Sequence, residues 1–438
     1  MFSVRRKLDK LKSGQILEYP LDKKKALLRI LICGSVDHGK SSLIGRLLYD
    51  SDVVYEDQID AIKSETSEFR NENTADLSLL VDGLQSEKEL GITIDVAYRY
   101  FSTIRRKFIL IDTPGHEQYT RNMVTGASNS DLAVILIDAR CGLQPQTRRH
   151  SFIASLLGIK KFILAINKMD LVGFDRESFE KICFDCKTFF NGLGDIEVSC
   201  IPVSALDGDN VVTLSSKTPW FHAGTLISML EEAQIVSKSN TSQFRLPIQY
   251  VNHISSNLSG FCGTVASGFV RKGDVVRILP SQKRGTVKAI VTYEGELDCA
   301  TDGMAVTLIF DSEIEASRGD IFVHEGQGMM EGRRIDCTLV WMVNNPLVAN
   351  VTYDIKIGTR ICSGKVSAFH SKIELENLTE QPTNELSLNE IGQVSIDLED
   401  LLVFDLYEES QVLGGFIFID RQTNETAAAG MITGIGKF

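Results

Sequence analysis

Apolar residues in the first half of the chain gather into short runs: Leu27 to Cys33, Phe108 to Ile111, Leu132 to Ile137, Phe162 to Ile166 and Ile201 to Val203. Runs rich in Ile, Leu and Val read as strands buried on both faces, and the helix-length segments between them read as repeated strand–helix–strand units. The pattern predicts an α/β domain with a mainly parallel sheet and helices on both faces. One stretch departs from it. Ile92, Ile94, Val96, Tyr98 and Tyr100 alternate with other residues, Arg105-Arg106-Lys107 follows, and apolar character resumes at Phe108. This predicts a hairpin with most of its aromatics on one face and a solvated basic turn.

Residues 236–243 are polar and lack periodicity, and read as a linker. Beyond them the character changes to short strands punctuated by turns, at 260–265, 273–280, 285–291 and 305–310, with no helical run between them. A second such set, at 336–341, 394–398 and 415–419, follows the glycine-rich stretch 325–332. Both sets predict all-β barrels or sandwiches. The expected organisation is a basic arm at 1–25, an α/β domain at 26–238, and two all-β domains at 239–329 and 330–438.

Length agrees, since 438 residues at about 150 per domain suggest about three domains. With 43% apolar and 24% charged residues the chain is neither disordered nor fibrous. Its nine cysteines, an odd number without repeated spacing, suggest no disulfide framework and point to a reducing, cytoplasmic setting. No apolar run approaches the roughly 18 to 20 residues of a membrane span, and none follows the basic first 12 residues as a signal peptide requires, so neither membrane nor export is expected. The net charge of -12 is uneven: residues 239–438 hold 16 basic and 26 acidic residues, whereas 1–238 are nearly neutral. The all-β half is therefore a poor surface for nucleic acid. The arm, with eight basic and three acidic residues, reads as a solvated tail in preference to a partner-binding arm.

Chemistry concentrates at strand ends. Gly34-Ser35-Val36-Asp37-His38-Gly39-Lys40-Ser41, with Ser42 after it, lies between a strand and a helical run. This is a phosphate loop in its required context: backbone N–H groups converge on phosphate oxygens, Lys40 reaches the terminal phosphates, and the Ser41 hydroxyl suits Mg2+. Asn167-Lys168-Met169-Asp170 follows the run Phe162 to Ile166. Asp170 there can accept from the N1–H and exocyclic amine of guanine, a donor pair that adenine lacks. Asn167 would tie the base to the phosphate loop, and the Lys168 stem would cover one face of the ring. Ser204-Ala205-Leu206, after Ile201 to Val203, offers N–H groups to the guanine carbonyl.

Asp112-Thr113-Pro114-Gly115 also follows a strand. Asp112 can reach Mg2+ through water and the Gly115 N–H can bond the γ-phosphate, the arrangement of a switch. Thr93 is placed to give Mg2+ a second hydroxyl, making Ser41, Thr93 and Asp112 the candidate metal set. His116 is the candidate for orienting the attacking water, with Lys40, Thr93 and Gly115 as the other expected catalytic groups. Cys183-Phe184-Asp185-Cys186 has redox-motif spacing but sits in a helical run with no second pair, and reads as packing.

These elements, in this order, resemble the translation-factor class of GTPases, a P-loop GTPase domain followed by two β-barrels of the elongation factor Tu type. Within it the chain is most similar to the large GTPase subunits of heteromeric sulfate adenylyltransferases (ATP sulfurylases). The stretches that carry this are 55–58, 79–87, 91–103, 116–123, 146–152, 204–210, 353–356 and 414–421. The resemblance implies binding of GTP with Mg2+ and GTP hydrolysis coupled to formation of adenylylsulfate and pyrophosphate in sulfate activation. The chain carries neither a Ser-Gly-Gly-x-Asp-Ser pyrophosphate loop nor a His-x-x-His signature. ATP and sulfate are therefore expected to react on a separate small subunit. One phosphate-loop motif occurs, so no fused adenylylsulfate kinase is expected. The alternative on the same fold is an elongation factor-like carrier that delivers aminoacyl-tRNA to the ribosome.

Overall fold

A computed structural model describes residues 25–51, 77, 93–234, 242–255 and 258–436. The basic arm up to residue 24, the stretches 55–58 and 79–87, most of the linker at 236–243, and the start of the alternating stretch at Ile92 lie outside these residues.

The first half forms a six-stranded sheet from β1 (Leu27–Gly34), β2 (Ala97–Ser102), β3 (Lys107–Asp112), β4 (Leu132–Asp138), β5 (Lys161–Asn167) and β6 (Glu197–Pro202), in the order β2-β3-β1-β4-β5-β6. Only the β2–β3 pair is antiparallel. Among the described residues five helices accompany it: α1 (Lys40–Asp50), α2 (Thr120–Ser128), α3 (Pro145–Leu156), α4 (Arg176–Asn191) and α5 (Leu226–Glu232). Their starts are written locally. Pro145 opens α3, the Asp175 carboxylate accepts from Ser178 N at the start of α4, and Thr225 and Ser228 cap α5 reciprocally.

Because successive side chains of a strand point to opposite faces, the continuous apolar runs feed two cores. In β4, Ala133, Ile135 and Ile137 pack with α2, α3 and α4, while Leu132, Val134 and Leu136 pack with α1 and α5. The expected mainly parallel sheet with helices on both faces is what forms.

Two closed barrels follow. In the first, the strands at 246–255, 258–264, 275–279, 284–292, 305–310 and 321–324 pair antiparallel into a ring of six. In the second, the ring is made by 330–341, 352–357, 360–374, 391–404, 415–419 and 426–435. Closure leaves no free sheet edge within either ring. The glycine-rich stretch 325–332 is partly strand, since pairing starts at Met330. Val340, Met342, Ile391, Ala429 and Met431 of the second barrel join the core that also holds α2 and α3, so that barrel packs on the sheet domain without a polar break. Among the described residues no helix is long and apolar enough to cross a membrane.

The hairpin differs from expectation in two ways. The second strand of the sheet starts at Ala97, and residues 93–96 have no regular structure. Tyr98 and Tyr100 share the outward face, as alternation predicts, at 39% and 65% exposure, while Phe101 turns inward and stacks on Phe108. Arg106 is buried instead of solvated: its guanidinium donates to the carbonyls of Leu230, Glu231 and Ala233 at the end of α5. Carbonyls at a helix C-terminus have no partner within the helix, and a cation there is favoured by the helix dipole as well. Cys183 and Cys186 pack inside α4 as expected, and all nine cysteines are free thiols.

The two barrels are joined by a buried ion pair. Arg245 Nε donates to Asp405 Oδ2 at 3.1 Å, and the remaining guanidinium nitrogens are taken by the carbonyls of Phe244 and Gly328 and the side chains of Gln243 and Gln327. Truncating one partner of a buried pair leaves an uncompensated charge, at a cost of about 3–5 kcal/mol. Asp405→Ala should therefore lower the urea midpoint of barrel unfolding sharply, and Arg245→Met with Asp405→Leu should lower it less than Asp405→Ala alone.

Candidate nucleotide site

The phosphate loop takes its shape from three backbone positions. Gly34, at the end of β1, has φ 144°, and a Cβ there would sit 2.5 Å from the Leu136 carbonyl oxygen. Asp37 (φ 59°) and Gly39 (φ 89°) are left-handed, which turns the chain into α1. Gly39 is the N-cap of α1 and gives its first turn no side-chain cap, leaving those N–H groups available to an anion. His38 turns inward, and its Nδ1 bonds the Leu136 carbonyl at 3.0 Å. Burial, foremost, lowers its pKa and keeps the ring neutral.

Lys40 is 93% buried, and its ammonium donates to the carbonyls of Gly34 at 3.1 Å and Ser35 at 2.9 Å. Burial lowers its pKa, with partial compensation from the Asp112 charge. A buried ammonium whose hydrogen bonds end on neutral carbonyls is suited to exchange them for anionic oxygens. Gly115 closes over the same point: a Cβ there would lie 2.5 Å from Lys40 Nζ and 3.0 Å from Gly34 O and Val36 N.

Asp112 ends β3 opposite Ile32 of β1, and the Thr113 hydroxyl donates to Ile32 O at 2.8 Å, so this loop is anchored to the strand that carries the phosphate loop. Pro114 is buried beside it, and His116 is half-buried at the head of the 3-10 turn Glu117–Tyr119, edge-on to Tyr119. Ser41 and Ser42 occupy the first turn of α1, both half-buried. Thr93 lies in the irregular segment 93–96, which Asn122 holds by donating to Ile94 O at 2.7 Å. A carboxylate and two hydroxyls form a hard oxygen set of the kind Mg2+ prefers. The donor types fit that ion.

The base-side loops are drawn together by Asn167. At 2% exposure, it donates to His38 O at 2.8 Å and accepts from Ala205 N at 2.9 Å. Lys168 is left-handed (φ 62°), which points its stem back across the site. Its ammonium reaches Asp37 O and pairs with Asp138 at 2.9 Å. Asp170 is half-buried in the 3-10 turn Met169–Val172. Ser204 is fully buried, and its hydroxyl accepts from Asp207 N at 3.2 Å. Leu206 is more than half exposed.

Residues 25–234 match the family described as the elongation factor Tu GTP binding domain, and 334–433 match the GTP-eEF1A C-terminal domain-like family. Over 410 residues the chain is 52% identical to the sulfate adenylyltransferase subunit 1 of Aliarcobacter butzleri, covering 93% of this chain and 87% of the relative. The corresponding protein of Aeromonas hydrophila is 52% identical over 93% of this chain and 86% of its own length. The chain belongs to the sulfate adenylyltransferase subunit 1 family. Among solved structures, the Saccharomyces cerevisiae Ski7 GTPase-like domain bound to GTP superposes with a TM-score of 0.51 at 17% identity, covering 93% of this chain and 97% of that one. That likeness shows the shared fold.

Several residues that sequence reasoning passed over shape the site of this subunit 1 chain. Asp138, at the end of β4, accepts from Arg140 Nε at 3.0 Å and Nη2 at 2.7 Å as well as from Lys168, and so fixes the Lys168 stem. Burial alone would raise its pKa, but these bonds outweigh it and hold the carboxyl well below the usual range. An acidic residue closing the apolar run Leu132 to Ile137 was the available signal. Arg46 of α1 donates to the carbonyls of Ala205 and Leu206 and shapes the Ser204–Leu206 loop, a contact between positions 159 and 160 apart that no local pattern announces.

His150, on α3, is fully buried. Burial first, then the nearby Lys40 and Arg149 charges, lower its pKa to about 3. An unfolded chain takes up a proton near pH 6.5 that the folded ring refuses until about pH 3, so this residue costs stability as pH falls between those values. Its contribution to the slope reaches about 1.4 kcal/mol per pH unit below pH 6.5. His150→Gln should therefore lose less stability than the parent between pH 7 and 5.5, read from urea midpoints. Equal losses would show that His150 does not titrate on unfolding.

Proposed function

We propose that this chain is the GTP-hydrolysing subunit of a sulfate-activating enzyme. In this reading hydrolysis of GTP drives formation of adenylylsulfate and pyrophosphate from ATP and sulfate on a separate small subunit. The observation that carries the nucleotide part is the double hydrogen bond of Asn167, which holds the phosphate loop and the Ala205 loop to one strand end. The names of the relatives support the sulfate part, and "subunit 1" in those names supports a partner.

Within that reading, Gly34 to Ser42 receive the triphosphate, with Lys40 on its terminal oxygens. Asp170 takes the guanine N1–H and amine, the Lys168 stem covers the ring, Asn167 braces the loops, and N–H groups of Ser204, Ala205 and Leu206 face the carbonyl. Ser41, Thr93 and, through water, Asp112 would hold Mg2+, which would supply charge neutralisation on the triphosphate. Gly115 offers its N–H to the γ-phosphate. His116 holds the attacking water in line by accepting one of its hydrogen bonds. The domains divide at 26–238, 239–329 and 330–438, and the protein works in the cytoplasm.

The coupling has a thermodynamic reason. Joining sulfate to AMP makes a mixed anhydride from a weak nucleophile, so the equilibrium favours ATP and sulfate unless a second exergonic reaction is tied to it. The carrier reading, delivery of aminoacyl-tRNA, is disfavoured by family membership and by the net charge of the barrels, which hold 16 basic and 26 acidic residues at 239–438.

Two experiments test the proposal. Mixed with the small subunit, the chain should make pyrophosphate release from ATP and sulfate depend on GTP, and a non-hydrolysable GTP analogue should fail to raise the yield of adenylylsulfate; equal yields would end the coupling reading. At the base, Asp170→Asn should weaken GTP by about 100-fold or more and bind xanthosine triphosphate in its place, by equilibrium titration. Unchanged GTP affinity would remove Asp170 from the base site.

A further inference from the structure

Glu117 follows His116 directly and is gripped from two domains. Its carbonyl accepts from the Thr120 hydroxyl at 2.8 Å and from Asn389 Nδ2 of the second barrel at 2.9 Å. Its carboxylate pairs with Arg149 Nη1 of α3 at 2.9 Å. The same nitrogen of Arg149 donates to Gln146 Oε1 at 2.7 Å, which leaves the Gln146 amide nitrogen to donate to His150 Nε2 at 2.8 Å. On this turn of α3, Thr147 also meets Ser35 of the phosphate loop, hydroxyl to hydroxyl at 3.1 Å. A single helical turn therefore touches the phosphate loop through Thr147 and the His116 segment through Arg149. His150 anchors the array: it is fully buried, and it fixes the Gln146 amide that in turn fixes Arg149.

We propose that Arg149 is a positioning residue for GTP hydrolysis, setting the distance between His116 and the phosphate loop through its pair with Glu117. The inference rests on the reading of His116 given above. Arg149 reaches the chemistry only through its neighbours: its guanidinium is bonded to Glu117 and Gln146. Both bonds leave Nη1, whose two N–H groups lie fixed in the guanidinium plane, whereas an ammonium turns freely about its stem. Asn389 adds a second restraint from the barrel. It is left-handed (φ 66°) and 94% buried, and its backbone N–H bonds the Trp341 carbonyl at 2.9 Å, so the backbone that carries the amide reaching Glu117 is itself held.

The test is steady-state GTP hydrolysis by the full chain in six forms: parent, Arg149→Met, Arg149→Lys, Glu117→Gln, His116→Ala and the double variant His116→Ala/Arg149→Met. Glu117 is 63% exposed, so Glu117→Gln removes the charge that tightens the pair without disturbing α3. Misplacing a water-orienting group by about an ångström costs on the order of 100-fold. Arg149→Met and Glu117→Gln should each lower kcat about 10- to 100-fold with KM for GTP unchanged, Arg149→Lys should recover much of the loss, and the double variant should be no slower than His116→Ala. If His116→Ala is slow while Arg149→Met and Glu117→Gln keep the parental kcat, the positioning role is wrong and the reading of His116 stands. If the two losses multiply in the double variant, Arg149 acts independently of His116 and the proposal fails. If His116→Ala hydrolyses GTP like the parent, the reading of His116 fails and the proposal with it.

Discussion

The side chain of Asn167, buried at the end of the fifth strand, donates to the carbonyl of His38 and accepts from the amide of Ala205, and the geometry of the nucleotide site depends on that pair of bonds. Loops from three strands of the sheet are thereby held at one separation, fixed by the length of one amide. The contact is so close that Gly39 has no room for a side chain: a Cβ there would lie 2.4 Å from Asn167 Nδ2. Adjacent strands of a parallel sheet lie about 4.8 Å apart, so loops leaving their carboxyl ends meet over a small area. The amide turns that proximity into a fixed shape.

A second constraint works at the scale of domains. The core packed against α2 and α3 runs without interruption into the second barrel through Val340, Met342, Ile391, Ala429 and Met431. The Tyr407 hydroxyl and the Gln411 amide both donate to Leu157 O at the end of α3. The buried Arg245–Asp405 pair then joins the first barrel to the second. The segment carrying His116 lies over the continuous core, bonded to α3 by Glu117 Oε1 and to the barrel by Glu117 O. One residue, Glu117, thus contacts both α3 and the second barrel.

Much of this was legible in the linear order of residues. The five buried strands, the phosphate loop, the Asn167–Asp170 turn and the change to barrels follow from periods and short motifs, since each rests on contacts a few residues apart. The hairpin was less legible. Alternation fixed which residues share a face of the second strand but not which face is covered, and the structure buries Phe101 while leaving Tyr98 and Tyr100 outside. Arg106 reads as a turn residue by sequence because the carbonyls it satisfies belong to a helix more than a hundred positions away.

By itself, then, the sequence determined the elements and the chemistry of the strand-end loops, since backbone preference and side-chain type are local properties. Only the tertiary structure decided that Arg46, Asp138, Thr147 and Arg149 bear on the nucleotide site, and that Asn389 reaches it from another domain. Those contacts join residues between 30 and 272 positions apart. Hydrogen bonds of that kind are set by how whole layers pack, and packing is a property of the assembled core that no window along the chain contains.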